Sequence, residues 1–222
     1  MPTQIASIRT ATASVTTTNK LIRNTYMLLS LTLLFSAVTA SLSVMLQMPP
    51  MTYLVSVGMA IALMWLVLPR TANSAAGLGV VFAITGLFGF ALGPILLMYL
   101  KLPHGPQLVT TALGGTGAIF LGLSAYALIT RRDFNFMGGF LFVGMLVVLG
   151  ASLANIFLAI PAMSLAVSAV VVMLMSGFIL FDTSRMVHGG TDNYILATVG
   201  LYMNIFNLFI SLLQLLGIAR DD

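Results

Sequence analysis

Seven long apolar stretches run along the chain, separated by short polar breaks. They cover roughly Tyr26–Met48, Met51–Leu68, Leu78–Leu100, Leu108–Ile129, Phe140–Leu158, Ala162–Phe181 and Ile195–Ile218. Most approach the ~20 residues that an α-helix needs to cross ~30 Å of hydrocarbon. Lipid offers no hydrogen bonds, so a spanning backbone must be helical or a closed barrel. Barrel strands alternate in segments of about ten residues, whereas these stretches are continuously apolar and longer. The pattern predicts an all-α membrane protein, a bundle of seven transmembrane helices.

Breaks inside the pattern place the helix ends and packing faces. Pro49-Pro50 ends the first span, and the second is expected to stop before Pro69-Arg70. The third holds Gly86, Gly89 and Gly93, then Pro94. The glycines permit close helix approach, and Pro94 is expected to kink the helix, so Gly93 and Pro94 form either a packing kink or a gating hinge. Gly114, Ala118 and Gly122 form a small-residue stripe on the fourth span, predicted to be a packing seam.

Polar groups inside the spans are few. Asn155 lies in the fifth. Asn204, Asn207, Ser211 and Gln214 recur in the seventh at steps of three and four, which puts them on one face. Such a stripe should face protein or water rather than lipid, so the seventh helix is predicted to be the central one. The stripe and Asn155 are candidates to line a pathway; interhelical hydrogen bonding is the other reading.

Composition agrees: 59% of the 222 residues are hydrophobic and 6% charged, where a soluble domain would carry about a quarter charged. Short connections leave no room for a second domain, so residues 26–222 are expected to form one membrane domain behind a polar, flexible tail at 1–25. The net charge of +4 reports topology rather than nucleic-acid binding. With the N-terminus in the cytoplasm, Arg9, Lys20, Arg23, Arg70, Arg131, Arg132 and Arg185 lie inside, and only Lys101 and Arg220 lie outside. That predicts N-in, C-out. The chain has no cysteine, and its 15 methionines form no ligand cluster. His104 and His188 are expected on opposite sides of the membrane. No metal site, cofactor, nucleophile triad or paired-acid protease motif is indicated, so the chain is not expected to be an enzyme.

Asp182 stands apart. It follows Phe181 at the cytoplasmic C-terminal end of the sixth span. A negative charge there opposes the helix dipole, and partial burial disfavours the anion further unless Arg70 or Arg185 neutralises it. Such a group is a candidate proton sensor or cation gate; the alternative is a solvated loop aspartate.

Phe181-Asp182-Thr183-Ser184, with His188-Gly189-Gly190, Asn193-Tyr194-Ile195, Leu201-Tyr202, Asn207-Leu208-Phe209 and Leu212-Leu213, resembles the C-terminal signature of the Bax-inhibitor family. Arg23-Asn24-Thr25-Tyr26, Gly93-Pro94-Ile95-Leu96, Ala112-Leu113-Gly114-Gly115-Thr116 and Ala154-Asn155-Ile156-Phe157-Leu158 look like its bacterial YccA-like branch. The resemblance runs from about residue 20 to the end. It implies six helices around a central seventh, and a pH-sensitive calcium leak with calcium as the permeant ion. In that mechanism an aspartate ending helix 6 shares a proton with one in helix 7, near an arginine ending helix 2. Those positions fall on Asp182, Asn204 and, loosely, Arg70. Asn204 departs from the family pattern, because an asparagine cannot share a titrating proton. The branch further implies a bacterial inner-membrane location and a binding role as substrate and modulator of the membrane-bound AAA protease FtsH.

Overall fold

The computed structural model describes the backbone of residues 2–218 and the side chains of residues 17–217. Seven helices carry the fold: α1 (Pro2–Met45), α2 (Met51–Thr71), α3 (Ala75–Leu100), α4 (Gly105–Thr130), α5 (Gly138–Leu158), α6 (Pro161–Val187) and α7 (Tyr194–Ile218). Each is long and apolar enough to cross a membrane; in α1 the spanning part is Thr17–Met45. No strand occurs among the described residues. The seven-span reading holds, with α1 beginning well ahead of the apolar run at Tyr26.

Helix ends are set by local chemistry. Asn193 caps α7: its Oδ1 accepts from the Ile195 and Leu196 N–H groups at 2.9 and 3.1 Å. Its Nδ2 donates to the Ala72 carbonyl and to Asn73 Oδ1, which ties the start of α7 to the α2–α3 turn. At the end of α5, Asn155 Oδ1 accepts from the Ile160 N–H at 3.0 Å, across the left-handed Ala159.

One boundary differs from expectation. α2 does not stop before Pro69 but continues to Thr71 through a π-helical stretch at Leu63–Val67. A proline ring collides with the carbonyl four residues earlier, here Trp65. The wider π turn one step upstream absorbs that collision, so the helix reaches Arg70.

Packing makes α7 central. Over their most apolar windows, 61% of α7 is buried against 11% of α5. α7 lies against α6, α1, α4 and α3, whereas α2 packs on α3 alone and α5 on α6 alone among the helices. The ring around α7 therefore has four members rather than six, with α2 and α5 outside it.

The closest seam joins α1 to α3. A side chain at Gly86 would meet the Phe35 ring, one at Gly89 would meet Ser36 and Thr39, and one at Gly93 would meet Ser43. α3 runs unbroken through Pro94, and Gly93 is buried at the α1 contact. The fourth-span stripe is not a seam within this chain. Gly114, Ala118 and Gly122 are exposed, and nothing stands beside either glycine. The buried face of α4 carries Ala112, Thr116, Phe120, Ser124 and Ala127 instead. In lipid a small residue gains nothing by facing inward unless a partner backbone comes close, and here the larger Thr116 and Phe120 take the inner face.

Candidate functional site

The polar face of α7 turns toward α6 at both of its ends. In the half near the start of α7, Asn204 Nδ2 donates to Asp182 Oδ2 at 2.7 Å. Asn204 is buried and Asp182 partly buried. Gly200, one turn back, leaves room: a Cβ there would stand 3.5 Å from the same carboxylate oxygen. In the other half, Gln214 donates to Ser164 Oγ at 2.7 Å and accepts from Ser168 Oγ at 2.8 Å. Between them Ser211 is buried, and Asn207 donates to the Met203 carbonyl of its own helix.

Asp182 lies inside the last turns of α6, within the span rather than in a loop. Arg185, on the same helix, is its neighbouring cation. The Arg185 guanidinium also lies over the Phe181 ring at 5.5 Å and donates to the Gly190 carbonyl at 2.8 Å. Arg70 is not brought to this pair: it is exposed, and its guanidinium donates to the Leu66 carbonyl. Asn155 is likewise distant in function. It closes the α5–α6 turn, and α5 does not reach α7.

Other hydroxyl contacts knit the helices around the pair and were not singled out from the sequence. Tyr26 and Thr183 are linked at 3.3 Å, and Thr198 donates to the Thr25 carbonyl. Tyr202 is fully enclosed. Its hydroxyl donates to the Thr85 carbonyl at 3.2 Å and meets Ser36 Oγ at 2.7 Å, joining α7 to α3 and α1. Thr25, Tyr26, Thr183 and Tyr202 stand in the family-like segments, but nothing there signals their pairing, because hydroxyl residues in apolar spans serve equally for bonds to a helix's own carbonyls. Thr85 shows this, since its own hydroxyl bonds back to Val81. Among the described residues there is no group of three or more His, Cys, Asp or Glu side chains placed to hold a metal ion.

A carboxylate paired with a carboxamide at the contact of a central helix and its neighbour can hold or release one proton, or draw a cation to that point. It offers no nucleophile with a base beside it. The fold and pair thus define a seven-helix membrane protein with one acid set at the contact of its central helix and a neighbouring one.

Comparison with known proteins places that class. Residues 18–221 match the family model described as "Inhibitor of apoptosis-promoting Bax1", and the chain belongs to that Bax-inhibitor family. It is 50% identical over 210 residues to the "Modulator of FtsH protease YccA" of Escherichia coli strain K12, covering 94% of each chain. A second Escherichia coli strain has an "Inner membrane protein YccA" at the same identity and coverage. A membrane protein of Vibrio cholerae is 48% identical over 205 residues, 92% of each chain. The chain is a multi-pass inner-membrane protein of this family. Neither the family description nor these names denote an enzyme.

Proposed function

We propose that the protein binds a membrane-bound ATP-dependent protease of the FtsH type and slows its action on other membrane proteins. The observation that carries this reading is the 50% identity across 94% of both chains to a relative named as a modulator of that protease. In this reading the chain sits N-in and C-out, so its basic residues cluster on the cytoplasmic side. The acid-free segment at residues 1–19 then serves as the handle that a processive protease can grip. Co-purification from membranes and the degradation rate of a membrane substrate test it. Full-length protein should co-purify with the protease and lengthen the substrate's half-life. Deleting residues 1–19 should stop the protein's own turnover and weaken the protection; unchanged turnover and protection would overturn the reading.

A second reading, a cation leak that admits calcium, is favoured by the Asp182–Asn204 hydrogen bond at the central helix. In liposomes across about pH 6 to 8, Asp182→Asn should abolish any pH dependence of calcium flux. Asn204→Asp should increase that dependence, because two carboxyls then share the site. Equal flux in all three proteins would remove Asp182 from gating.

A further inference from the structure

A cavity with mixed polar and apolar walls lies where α4 and α6 end beside the start of the spanning part of α1. It has a volume of about 430 Å³, and its walls include Thr18, Asn19 and Ile22 of α1, Leu128 and Arg131 of α4, and His188 just past α6. Its position is the membrane interface: Arg131 follows the last residue of α4 and His188 the last residue of α6. Among the described residues, no acid lines it. Lys20 and Arg23 flank its α1 wall in sequence, and the nearest acid along the chain, Asp133, turns its Oδ1 to the Asn135 N–H.

The geometry of Arg131 is what singles this cavity out. Arg131 caps α4 in the left-handed conformation, φ 49° and ψ 29°. Glycine takes that conformation freely, whereas an arginine meets a steric penalty there. The surroundings hold it in place. His188 Nε2 lies 3.1 Å from the Arg131 carbonyl oxygen, and Nδ1 lies 2.9 Å from the Ser184 carbonyl oxygen. With Nε2–H donating to the Arg131 carbonyl and Nδ1 free to accept from the Ser184 hydroxyl at 3.3 Å, the imidazole joins the ends of α4 and α6 and fixes the main chain of Arg131, which lines the cavity. An arginine in a glycine-type position, braced from outside and lining an acid-free pocket, is suited to an anion that accepts two parallel N–H bonds, as a phosphate or carboxylate does. Depth selects the anion. Ile22 and Leu128 offer an apolar wall, and Thr18, Asn19 and Arg131 a polar one, as the boundary between acyl chain and headgroup requires.

We propose that this cavity binds a phosphate group, supplied by an anionic phospholipid headgroup, with Arg131 as its ligand and His188 as the residue that positions Arg131. The test is thermal unfolding of the full-length protein in non-ionic detergent. Phosphatidylglycerol, phosphatidylcholine and inorganic phosphate are titrated at matched ionic strength. Phosphatidylglycerol at saturation should raise the midpoint by roughly 5 °C, and the other two by much less. Arg131→Gly should weaken the apparent affinity for phosphatidylglycerol at least tenfold while leaving the lipid-free midpoint equal or higher, since glycine suits the backbone. His188→Gln should weaken it too, and the double variant should lose no more than Arg131→Gly alone. Arg132→Gln, an exposed arginine beside but outside the cavity, should change it less than twofold. Equal losses for Arg131→Gly and Arg132→Gln would reduce the effect to general surface charge and overturn the site. A full shift with inorganic phosphate alone would overturn the lipid as source.

Discussion

Gly89→Leu should be among the most destabilising single changes in the chain, at roughly 3 kcal/mol or more. The site explains the size. Gly89 is buried on α3, and a side chain there would run into the Ser36 backbone and the Ser36 and Thr39 side chains of α1. Backbone cannot step aside as the end of a flexible side chain can, so α1 must move as a body. That movement would also part Ser36 from the Tyr202 hydroxyl, 2.7 Å away, loosening α1 from the central helix as well as from α3. In lipid this close approach is itself the attraction, since burial of apolar surface drives little helix association there. Gly114→Leu is the matched control. It adds the same side chain to a helical glycine with nothing beside it, so it should shift stability by no more than about 1 kcal/mol, in the favourable direction set by helix propensity. Thermal or denaturant unfolding in one detergent compares the two. A large loss at Gly114 would reveal a partner helix on the outer face of α4; a small loss at Gly89 would mean that the α1–α3 seam is looser than its geometry.

Those two glycines also show how far the sequence carries. Both sit in stripes of small residues at helical spacing, and both stripes suggest seams. Only the structure separates them, because spacing defines a face but not what the face meets. The spans themselves were legible, since seven apolar runs of that length admit one solution in lipid. The central place of α7 was legible from Asn204, Ser211 and Gln214, because polar side chains need partners away from lipid. Pro69 does not stop α2, because a π turn at Leu63–Val67 lets the helix pass it, and no spacing in the sequence marks such a turn. Pairing across helices was beyond reach. Nothing in the sequence puts Ser36 beside Tyr202, or separates Arg70, bonded to its own helix, from the acid with which the family resemblance groups it. Asn155 misled for the same reason: a polar residue near a span end can close a turn as well as line a path.

Asn204→Leu is the second change expected to cost most, about 2–3 kcal/mol, and its pattern matters more than its size. It removes the amide that donates to Asp182 and leaves a partly buried carboxylate short of a donor in a low-dielectric setting. Asp182→Asn keeps a hydrogen bond between two carboxamides and should cost less than about 1 kcal/mol. If both residues are made leucine, no polar group is left unsatisfied and most of the lost stability should return, as when buried polar pairs give way to apolar ones. Unfolding of the wild type, Asn204→Leu, Asp182→Leu and the double leucine variant at a fixed pH closes this cycle, with Asp182→Asn measured beside it. Full recovery in the double variant would mean that the pair adds nothing to stability that leucines cannot supply. Its place at the contact of α6 with the central helix would then rest on what a carboxylate can do there and a leucine cannot: bind a proton or attract a cation. A double variant as unstable as Asn204→Leu alone would point the other way. It would make the 2.7 Å bond a packing element of the α6–α7 seam, equivalent to the Gln214 clamp on Ser164 and Ser168 in the other half of the membrane.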